Sequence, residues 1–383
     1  MTYSAGRRYY DADSHIMETI QWLHEHATEG ERRILPELAP RGAGAMALQS
    51  IKEAEARRAS PEATAKLLEQ PLISGPKGWQ AYGASTREER SRALDLLGFE
   101  RQLVFPTFSL GQFVRSDDLE VVYAGAQALN RGMAHFCGAD PRMLAVGYLP
   151  LHDPVRSLGT LDSALRDGVR AFWVTADAIG DRSPSHVDHE PIWQRLASEG
   201  TPVILHVGLG VLGTKPYHNN GRPAPSDWLG GGENLRSRDF HAIAHTAQNF
   251  LASMILDGVF ERHERLRCGV IELGGSWVPG FLRLLDHAAV AFRRTEPLVQ
   301  ELKLKPSEYM RRQVRISLFP FEDAGWLVEQ AGQELFMFAS DYPHPEGGKD
   351  PIERFEAALE AHRISASAAE RFRHGNFADL MSL

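Results

Sequence analysis

Asp13 and His15 are the first residues in the sequence whose types and spacing could support chemistry. They lie two positions apart in the run Tyr9–Glu18, which its apolar flanks predict to be a short strand. Because strand side chains alternate between faces, the carboxylate and the imidazole should project from the same side. Both groups bind divalent cations, so the pair could form part of a metal site. A lone Asp-x-His pair is more often the solvated end of a strand, so later residues must decide.

Further metal-binding residues stand at the ends of later apolar runs, namely His206, Glu272 and Asp341. A catalytic zinc ion or a similar cation takes about four ligands and keeps one position open. Asp13, His15, His206 and Asp341 would supply a mononuclear site of this kind, with a water or a substrate oxygen in the open position. The cation would lower the pKa of that water towards ~7, and Asp341 could take its proton. His206 alone would be read as a hydrogen-bonded core histidine.

Only an architecture that gathers strand ends at one rim can bring these residues together. The strands are short and continuously apolar, as in a parallel sheet covered on both faces. We predict them at 9–18, 102–106, 144–149, 169–174, 202–207, 268–273, 314–318 and 335–339. Eight strand–helix units in order predict an α/β fold, the (β/α)8 TIM barrel, whose active rim is formed by the C-terminal strand ends. No Gly-x-Gly-x-x-Gly opens a helix after a strand, which argues against a dinucleotide-binding fold.

The helices between the strands carry start and stop signals. Ser85, three residues before a glutamate, has the form of a capping box that opens a helix ending near Gly98. Ser367 is predicted in the same way to open the closing helix at 366–380. A single long helix is predicted over 240–262.

Two segments fall outside the alternation of strands and helices. Residues 19–82 are predicted to be a helical insertion after strand one, with short helices at 51–58 and 61–68. The Gly-rich segment 208–239 leaves strand five directly after His206. A loop of this length is usually a lid or a binding wall, and a dimer-contact arm is an equal alternative.

Composition limits the class of protein. The 383 residues are 43% hydrophobic and 24% charged, so we expect one barrel domain over 1–383. The net charge of −8 gives no support for a nucleic-acid or membrane partner. The two cysteines are far apart, which favours a reducing compartment. The first residues do not resemble a signal peptide and no run approaches ~20 apolar residues, so we expect a cytoplasmic protein. The expected partner is a small-molecule substrate.

Several motifs together resemble the amidohydrolase-related branch of the amidohydrolase superfamily, which includes aminocarboxymuconate semialdehyde decarboxylase and resorcylate-type decarboxylases. The motifs are Asp-x-Asp-Ser-His-x-x-Glu at 11–18, Ile-Leu-His-Val at 204–207, Ser-Asp-Tyr-Pro-His-Pro-Glu-Gly at 340–347, and the stretches 258–266 and 274–279. The resemblance spans nearly the whole chain except 19–82. It implies a distorted barrel that holds one divalent metal ion, zinc or alternatively manganese, and a homodimer or higher homo-oligomer. It places the metal ligands at Asp13, His15, His206 and Asp341.

One departure from the family pattern concerns the reaction. The decarboxylases that this chain resembles carry a catalytic histidine just before the Gly-Gly after strand six, where this sequence has Glu272 and Leu273. A glutamate can orient a water but is a poor proton donor near neutral pH unless its pKa is raised. His241 and His245, four apart on the predicted helix, could replace the histidine or could be ordinary surface residues.

These residues give three hypotheses for the function. The first is a metal-dependent hydrolase acting on a small carboxylated or aromatic-derived substrate, with Asp341 as ligand and base and Glu272 or His245 assisting. The second is a non-oxidative decarboxylase (carboxy-lyase) of an aromatic or unsaturated acid, and the third a non-catalytic barrel subunit. Substrate contacts are expected from His241, His344 and Trp277, although His344 could equally stiffen its loop. Glu18 could support a metal ligand from behind.

Overall fold

A computed structural model describes residues 2–37, 44–210, 212–222 and 236–383. Within them, eight parallel strands follow one another around a nearly closed barrel in the order of the chain. The strands are β1 Tyr10–Asp11, β2 Arg101–Val104, β3 Met143–Tyr148, β4 Val169–Trp173, β5 Val203–His206, β6 Cys268–Ile271, β7 Val314–Ser317 and β8 Phe336–Met337. The predicted (β/α)8 barrel is therefore confirmed.

Helices cover the outside of the barrel between successive strands. Those before β5 are α1 Trp22–Glu25, α2 Glu29–Arg32, α3 Gly44–Arg58, α4 Pro61–Leu67, α5 Arg87–Leu97, α6 Leu119–Cys137, α7 Pro154–Asp167 and α8 Glu190–Glu199. Those after β5 are α9 Ser237–Phe240, α10 His245–Leu256, α11 Val259–Arg262, α12 Val278–Phe292, α13 Pro297–Glu301, α14 Pro306–Gln313, α15 Ala324–Ala331, α16 Pro351–Ala361, α17 Ala366–Glu370 and α18 Asn376–Leu380. Since helices cover one face of each strand and the filled barrel interior covers the other, apolar runs such as β3 are buried throughout.

The barrel closes where β1 and its continuation meet the segment after β8. The Asp341 N–H donates to the Asp13 carbonyl (2.9 Å), and the His15 N–H donates to the Tyr342 carbonyl (2.8 Å). Only Tyr10 and Asp11 of the predicted first strand are regular strand, but these bonds keep the next residues extended along the seam. The seam thus lies beneath three of the four predicted metal ligands.

The single long helix predicted over 240–262 is wrong. The structure has three helices there, α9, α10 and α11, separated by a turn at 241–244 and by Gly258. Gly258 adopts φ +75°, a left-handed conformation that glycine tolerates and that ends a helix. The predicted helix at 366–380 is likewise divided by a π-helical stretch, Arg371–Gly375.

Two predicted helix starts are also displaced. Helix α5 begins behind Thr86 rather than Ser85, because the Ser85 hydroxyl accepts a hydrogen bond from the Arg58 guanidinium (3.0 Å). Helix α17 is capped by Ser365, whose hydroxyl accepts from a backbone N–H three residues later, and not by Ser367. The predicted end of α5 at Gly98 is confirmed, with the glycine in the left-handed conformation.

Described residues of the segment 19–82 pack into the barrel core. Trp22, Leu23 and Ile73 are buried in the same apolar cluster as the strands. Trp79 stacks on Phe108 with ring centroids 4.7 Å apart. The predicted insertion therefore also supports the rim of the barrel.

The Gly-rich segment 208–239 is described only in part. Residues 211 and 223–235 lie outside the described residues, and the rest contains a short 3-10 turn, Lys215–His218. Elsewhere, Cys137 and Cys268 are buried free thiols. None of the described helices combines the length and the apolar character needed to cross a bilayer.

Candidate metal centre and its pocket

Four buried side chains converge at the C-terminal rim of the barrel. Donor atoms of Asp13, His15, His206 and Glu272 all lie within 4.8 Å of one another. The His15 Nε2 atom is 3.3 Å from Asp13 Oδ1, and His206 Nε2 is 3.5 Å from the same oxygen. The His206 Nε2 atom is also 3.4 Å from Glu272 Oε2. Glu272, which the sequence predicts to assist catalysis, thus lies among the possible metal donors.

A second group shares His15 with the first. Donor atoms of His15, Asp341 and His344 also lie within 4.8 Å of one another. Asp341 Oδ1 is 3.6 Å from His15 Nε2 and 3.2 Å from His344 Nδ1. The four ligands predicted from the sequence are therefore neighbours, joined through His15. We call the six residues of the two groups the donor cluster.

The backbone is strained where two of these carboxylates project. Glu272 has φ +53° and Asp341 has φ +51°, values that residues other than glycine rarely adopt. Behind Asp341, a Cβ added to Gly347 would lie 1.9 Å from the Ser340 carbonyl oxygen, so only glycine fits there. Strain of this kind persists where the surrounding structure fixes a functional side chain.

Burial and proximity set the charges of the donor cluster. Burial, and next the neighbouring His344, lowers the pKa of His15 to about 3. Burial acts to raise the pKa of Asp13, but its contacts with His15 and His206 hold that pKa below its usual range. Neutral imidazole and ionised carboxylate are the forms that bind a cation. For Asp341, burial raises the pKa to about 7, against the lowering effect of His344.

The donor cluster fits a divalent metal ion. In the described part of the chain, Asp13 Oδ1, His15 Nε2 and both carboxylate oxygens of Asp341 are buried and make no hydrogen bond. Buried polar atoms normally have partners, and burying charged ones without compensation is costly. A cation would satisfy these atoms, and a mixed set of imidazole and carboxylate donors suits several divalent metals.

Contacts behind the imidazoles orient their metal-facing nitrogens. The Thr107 hydroxyl donates to the Ile16 carbonyl (2.8 Å) and so can accept from His344 Nε2 at 3.1 Å and His15 Nδ1 at 3.3 Å. His206 Nδ1 lies 3.0 Å from the Val207 carbonyl oxygen. If each of these nitrogens carries the proton, the other nitrogen of each ring is left as an electron-pair donor, as is usual for metal-binding histidines.

Glu18 holds the loop that carries Thr107. Its buried carboxylate accepts from the backbone N–H groups of Thr107 (3.0 Å), Phe108 (3.1 Å) and Ser109 (3.3 Å), and from the Ser109 hydroxyl (2.6 Å). Trp79 in turn donates its indole N–H to the Glu18 carbonyl (3.0 Å). Glu18 therefore lies behind His15 and His344 and reaches them through Thr107, and its predicted role in supporting a metal ligand stays a prediction.

A pocket of about 520 Å³ opens beside the donor cluster. His206 and Thr107 lie in its lining, and Phe108 and Trp173 contribute aromatic walls. Arg115 also belongs to the lining. This volume suits a small organic ligand, and apolar walls with a few polar groups are typical of ligand pockets.

A second cavity, of about 560 Å³, lies away from the donor cluster. Its lining includes Arg101, Met143, Gly168 and Thr201, which stand at or before the starts of strands. In barrels of this type, the face at the strand starts serves stability rather than catalysis. The pocket at His206 is therefore the candidate substrate site.

Three predicted site residues lie outside the donor cluster. His241 and His245 are exposed, with their ring centroids 6.0 Å apart. The Trp277 indole donates to the Gly274 carbonyl (2.8 Å) and packs edge-on against Phe281. Their roles in catalysis and substrate binding stay predictions.

Sequence reasoning missed three residues at the rim. Thr107 follows strand β2 and could have been found by the same strand-end rule, but its side chain carries no obvious chemistry. Arg115 and Lys77 lie in irregular segments with no recognisable pattern. Burial lowers the pKa of Lys77 to about 8, against the opposing effects of Asp341 and Glu346. Lys77 thus lies within electrostatic reach of the donor cluster.

A family model described as amidohydrolase matches residues 11–380, and the chain belongs to this amidohydrolase family. Its fold resembles that of an amidohydrolase from Mycobacterium avium subsp. paratuberculosis, with 23% identity, a TM-score of 0.73 and coverage of 99% of this chain and 98% of the other. A comparison with curated proteins gives no significant match.

Two decarboxylases share the same fold. 5-Carboxyvanillate decarboxylase from Sphingomonas paucimobilis is 18% identical, with a TM-score of 0.61 and coverage of 98% of this chain and 99% of the other. The enzyme of that name from Novosphingobium aromaticivorans, complexed with manganese and 4-hydroxy-3-methoxy-5-nitrobenzoic acid, is also 18% identical, with a TM-score of 0.64 and coverage of 100% and 98%. The chain is therefore an amidohydrolase-superfamily enzyme by family and by fold.

Proposed function

We propose that this enzyme is a metal-dependent decarboxylase of a small aromatic or unsaturated carboxylic acid. The observation that carries the proposal is a pocket with aromatic walls, Phe108 and Trp173, that opens on the donor atoms at His206. A flat ring fits such walls, and its polar substituents would then face the donor cluster. The similarity to decarboxylases of aromatic acids supports the same reaction.

The metal would be held by Asp13, His15, His206 and Asp341, with Glu272 close enough to join them. We propose zinc, with manganese as the alternative that the Novosphingobium structure supports. A divalent cation there would attract and polarise an oxygen of the substrate. The chain itself binds the ring, excludes water from its buried face and supplies the proton.

Decarboxylation needs a proton at the carbon that loses CO2. The bond from that carbon to the carboxylate breaks, its electron pair stays on the carbon, and a proton replaces CO2. We propose Asp341 as the carrier of this proton, on the carboxylate oxygen that does not bind the metal, because both of its oxygens are buried in the site and make no hydrogen bond. The doubly protonated form of His344 would donate from Nδ1 to Asp341 Oδ1, 3.2 Å away, and so return the proton while Nε2 keeps its contact with Thr107.

Hydrolysis of an ester or lactone is the second candidate, and Glu272 favours it. This carboxylate, 3.4 Å from His206 Nε2, stands where related decarboxylases are expected to have a histidine. An ionised carboxylate at this position can orient an attacking water and accept its proton. The same pocket would then bind the ring of a carboxylated ester or lactone.

Turnover in D2O separates the two reactions. The purified enzyme, its metal content measured, is offered dihydroxybenzoic acids and 5-carboxyvanillate in one series, and aryl esters and lactones in another. We expect CO2 release and one deuterium on the carbon that lost it. Release of an acid and an alcohol with no deuterium on carbon would replace the proposal with hydrolysis.

Variants assign the proton carrier. Compared with the wild type at equal measured metal content, Asp341→Asn should lower turnover by about 10²–10⁴-fold, the usual contribution of a general acid or base. Asp162→Asn on helix α7, which weakens the ion pair of Asp162 with Arg195 (2.9 Å) outside the donor cluster, should leave turnover unchanged and serves as the matched control. A preparation that holds no metal, ignores chelators and converts neither series would instead support the non-catalytic barrel.

We also propose a homodimer or a higher homo-oligomer, as the family resemblance implies. Light scattering during size-exclusion chromatography measures the mass directly. A mass near 42.6 kDa would contradict this proposal.

A further inference from the structure

Arg115 is the side chain of the pocket that stands out by its charge. Among the described residues that line the pocket, it is the one Lys or Arg, and no Asp or Glu accompanies it. Its guanidinium makes no ion pair or hydrogen bond with any described residue, and it is exposed. Other arginines, such as Arg156 and Arg262, pair with carboxylates through two nitrogens.

The backbone that carries Arg115 is well anchored. The Val114 N–H donates to the Leu110 carbonyl (3.0 Å), and the Ser116 N–H donates to the Phe113 carbonyl (3.0 Å). Phe113 is buried, 1% exposed, so the turn is fixed from below. The positive charge of Arg115 is thus held beside an apolar pocket, and the five N–H donors of its guanidinium remain available to a ligand.

We infer that Arg115 binds a second anionic group of the substrate, remote from the donor cluster. This inference rests on the proposed function, because it assumes that the reacting carboxyl group lies at the donor cluster beside His206. The substrate class is then an aromatic acid with a second carboxylate or another anionic substituent. Between the two groups, the ring lies against Phe108 and Trp173.

The inference agrees with the charge of the protein. A chain of net charge −8 repels dianions at long range, so a dianionic ligand needs a local cation. Guanidinium binds carboxylate in a bidentate geometry, and such charge-assisted bonds are stronger than neutral ones. Arg115 meets this need at the pocket itself.

Binding of two matched probes to the metal-loaded enzyme tests the inference. Isophthalate carries two carboxylates on a benzene ring, and benzoate carries one. By titration calorimetry, the wild-type enzyme should bind isophthalate about 5- to 20-fold more tightly than benzoate, the size expected for one charge-assisted bond. Arg115→Gln should bring this ratio close to one without changing the benzoate affinity, and Arg115→Lys should retain part of it.

Arg33→Gln is the matched control for net charge. Arg33 is exposed and pairs with Glu29 on the segment before α3, outside the pocket lining. This variant should leave the isophthalate-to-benzoate ratio unchanged. Three results would each overturn the inference. They are a wild-type affinity ratio near one, an equal loss of affinity for both probes in Arg115→Gln, and the same change of the ratio in Arg33→Gln.

Kinetics separate this inference from the proposed function. On an acid with a second carboxylate, Arg115→Gln should raise KM with kcat little changed, since Arg115 touches no reacting atom. If no acid is decarboxylated but the Arg115-dependent ratio is present, the proposed reaction fails and the anion subsite stands. If acids are decarboxylated and Arg115→Gln affects mono- and dicarboxylates alike, the subsite fails and the reaction stands.

Discussion

Replacing Glu18 by Gln should weaken metal binding although Glu18 touches no donor atom. The substitution keeps the size of the side chain and one acceptor oxygen. The other oxygen becomes an NH2 group, which faces the N–H of Phe108 or Ser109 and leaves at least one buried donor without an acceptor. The two imidazoles that meet Thr107 would then lose their fixed support.

The magnitude follows from the hydrogen bonds to the Glu18 carboxylate. An unsatisfied buried N–H costs about 1–3 kcal/mol, and the remaining bonds lose their charge assistance. Burial raises the pKa of Glu18, so removing the charge returns part of the desolvation cost. We expect a net loss of about 2 kcal/mol in the free energy of unfolding and a loss of about 10- to 100-fold in metal affinity.

Metal affinity is measured by competition with a chelating dye, and stability by urea unfolding of the metal-free protein. The control is Asp286→Asn, which weakens the bonds of Asp286 to the Ser307 N–H and hydroxyl (both 2.8 Å) away from the donor cluster. The control should lose stability and keep its metal affinity. If Glu18→Gln behaves like the control, the proposed support through Thr107 is refuted.

Three further predictions concern strain, metal binding and pH. Gly347→Ala should lower both stability and metal affinity, because its Cβ would meet the Ser340 carbonyl oxygen at 1.9 Å. The control is Gly280→Ala on α12, whose Cβ meets nothing within 4 Å. In thermal unfolding, this control should be neutral or stabilising. Metal at 100 times its Kd should add about 2.7 kcal/mol to the free energy of unfolding, and an unchanged midpoint would contradict the metal site. Burial lowers the pKa of His26 to about 4, below its usual value, so between these two values the unfolded chain binds a proton that the folded protein does not. The free energy of unfolding should therefore be highest above pH 6.5 and fall as the pH drops towards 4. Because His26 is partly exposed, we expect a loss of about 1–2 kcal/mol, and His26→Phe should flatten this dependence in urea titrations at pH 4.5 and 7.5.

Much of the fold could be predicted because its signals are local. Apolar strands buried on both faces give continuous runs, and each predicted run from β2 to β8 overlaps an observed strand. The order of strands and helices then leaves few alternatives to a barrel. Helix ends were less predictable: Gly258 broke a helix that periodicity alone would continue, and Ser85 had a competing partner in Arg58.

Four members of the donor cluster could be predicted as metal ligands from the sequence, but the geometry of the cluster could not. Strand ends gave Asp13, His15, His206 and Asp341, because parallel strands meet at one rim. The entry of Glu272 among the donors depends on a left-handed backbone and on contacts between strands, which no local pattern encodes.

The pocket was the least predictable part. Arg115, the cationic side chain of its lining, lies on an irregular turn. Part of the support comes from Trp79 of the insertion, which donates to the Glu18 carbonyl. Such residues have no periodicity, and their roles arise only from tertiary packing.

The closing seam of the barrel has a consequence for how the protein matures in the cell. Asp13 and His15 are synthesised before strands β2 to β8, and Asp341, which hydrogen-bonds to the Asp13 carbonyl, is synthesised only after them. The donor cluster therefore becomes complete only once the segment after β8 has been made, so a metal ion that needs all of its donors would bind after the barrel closes.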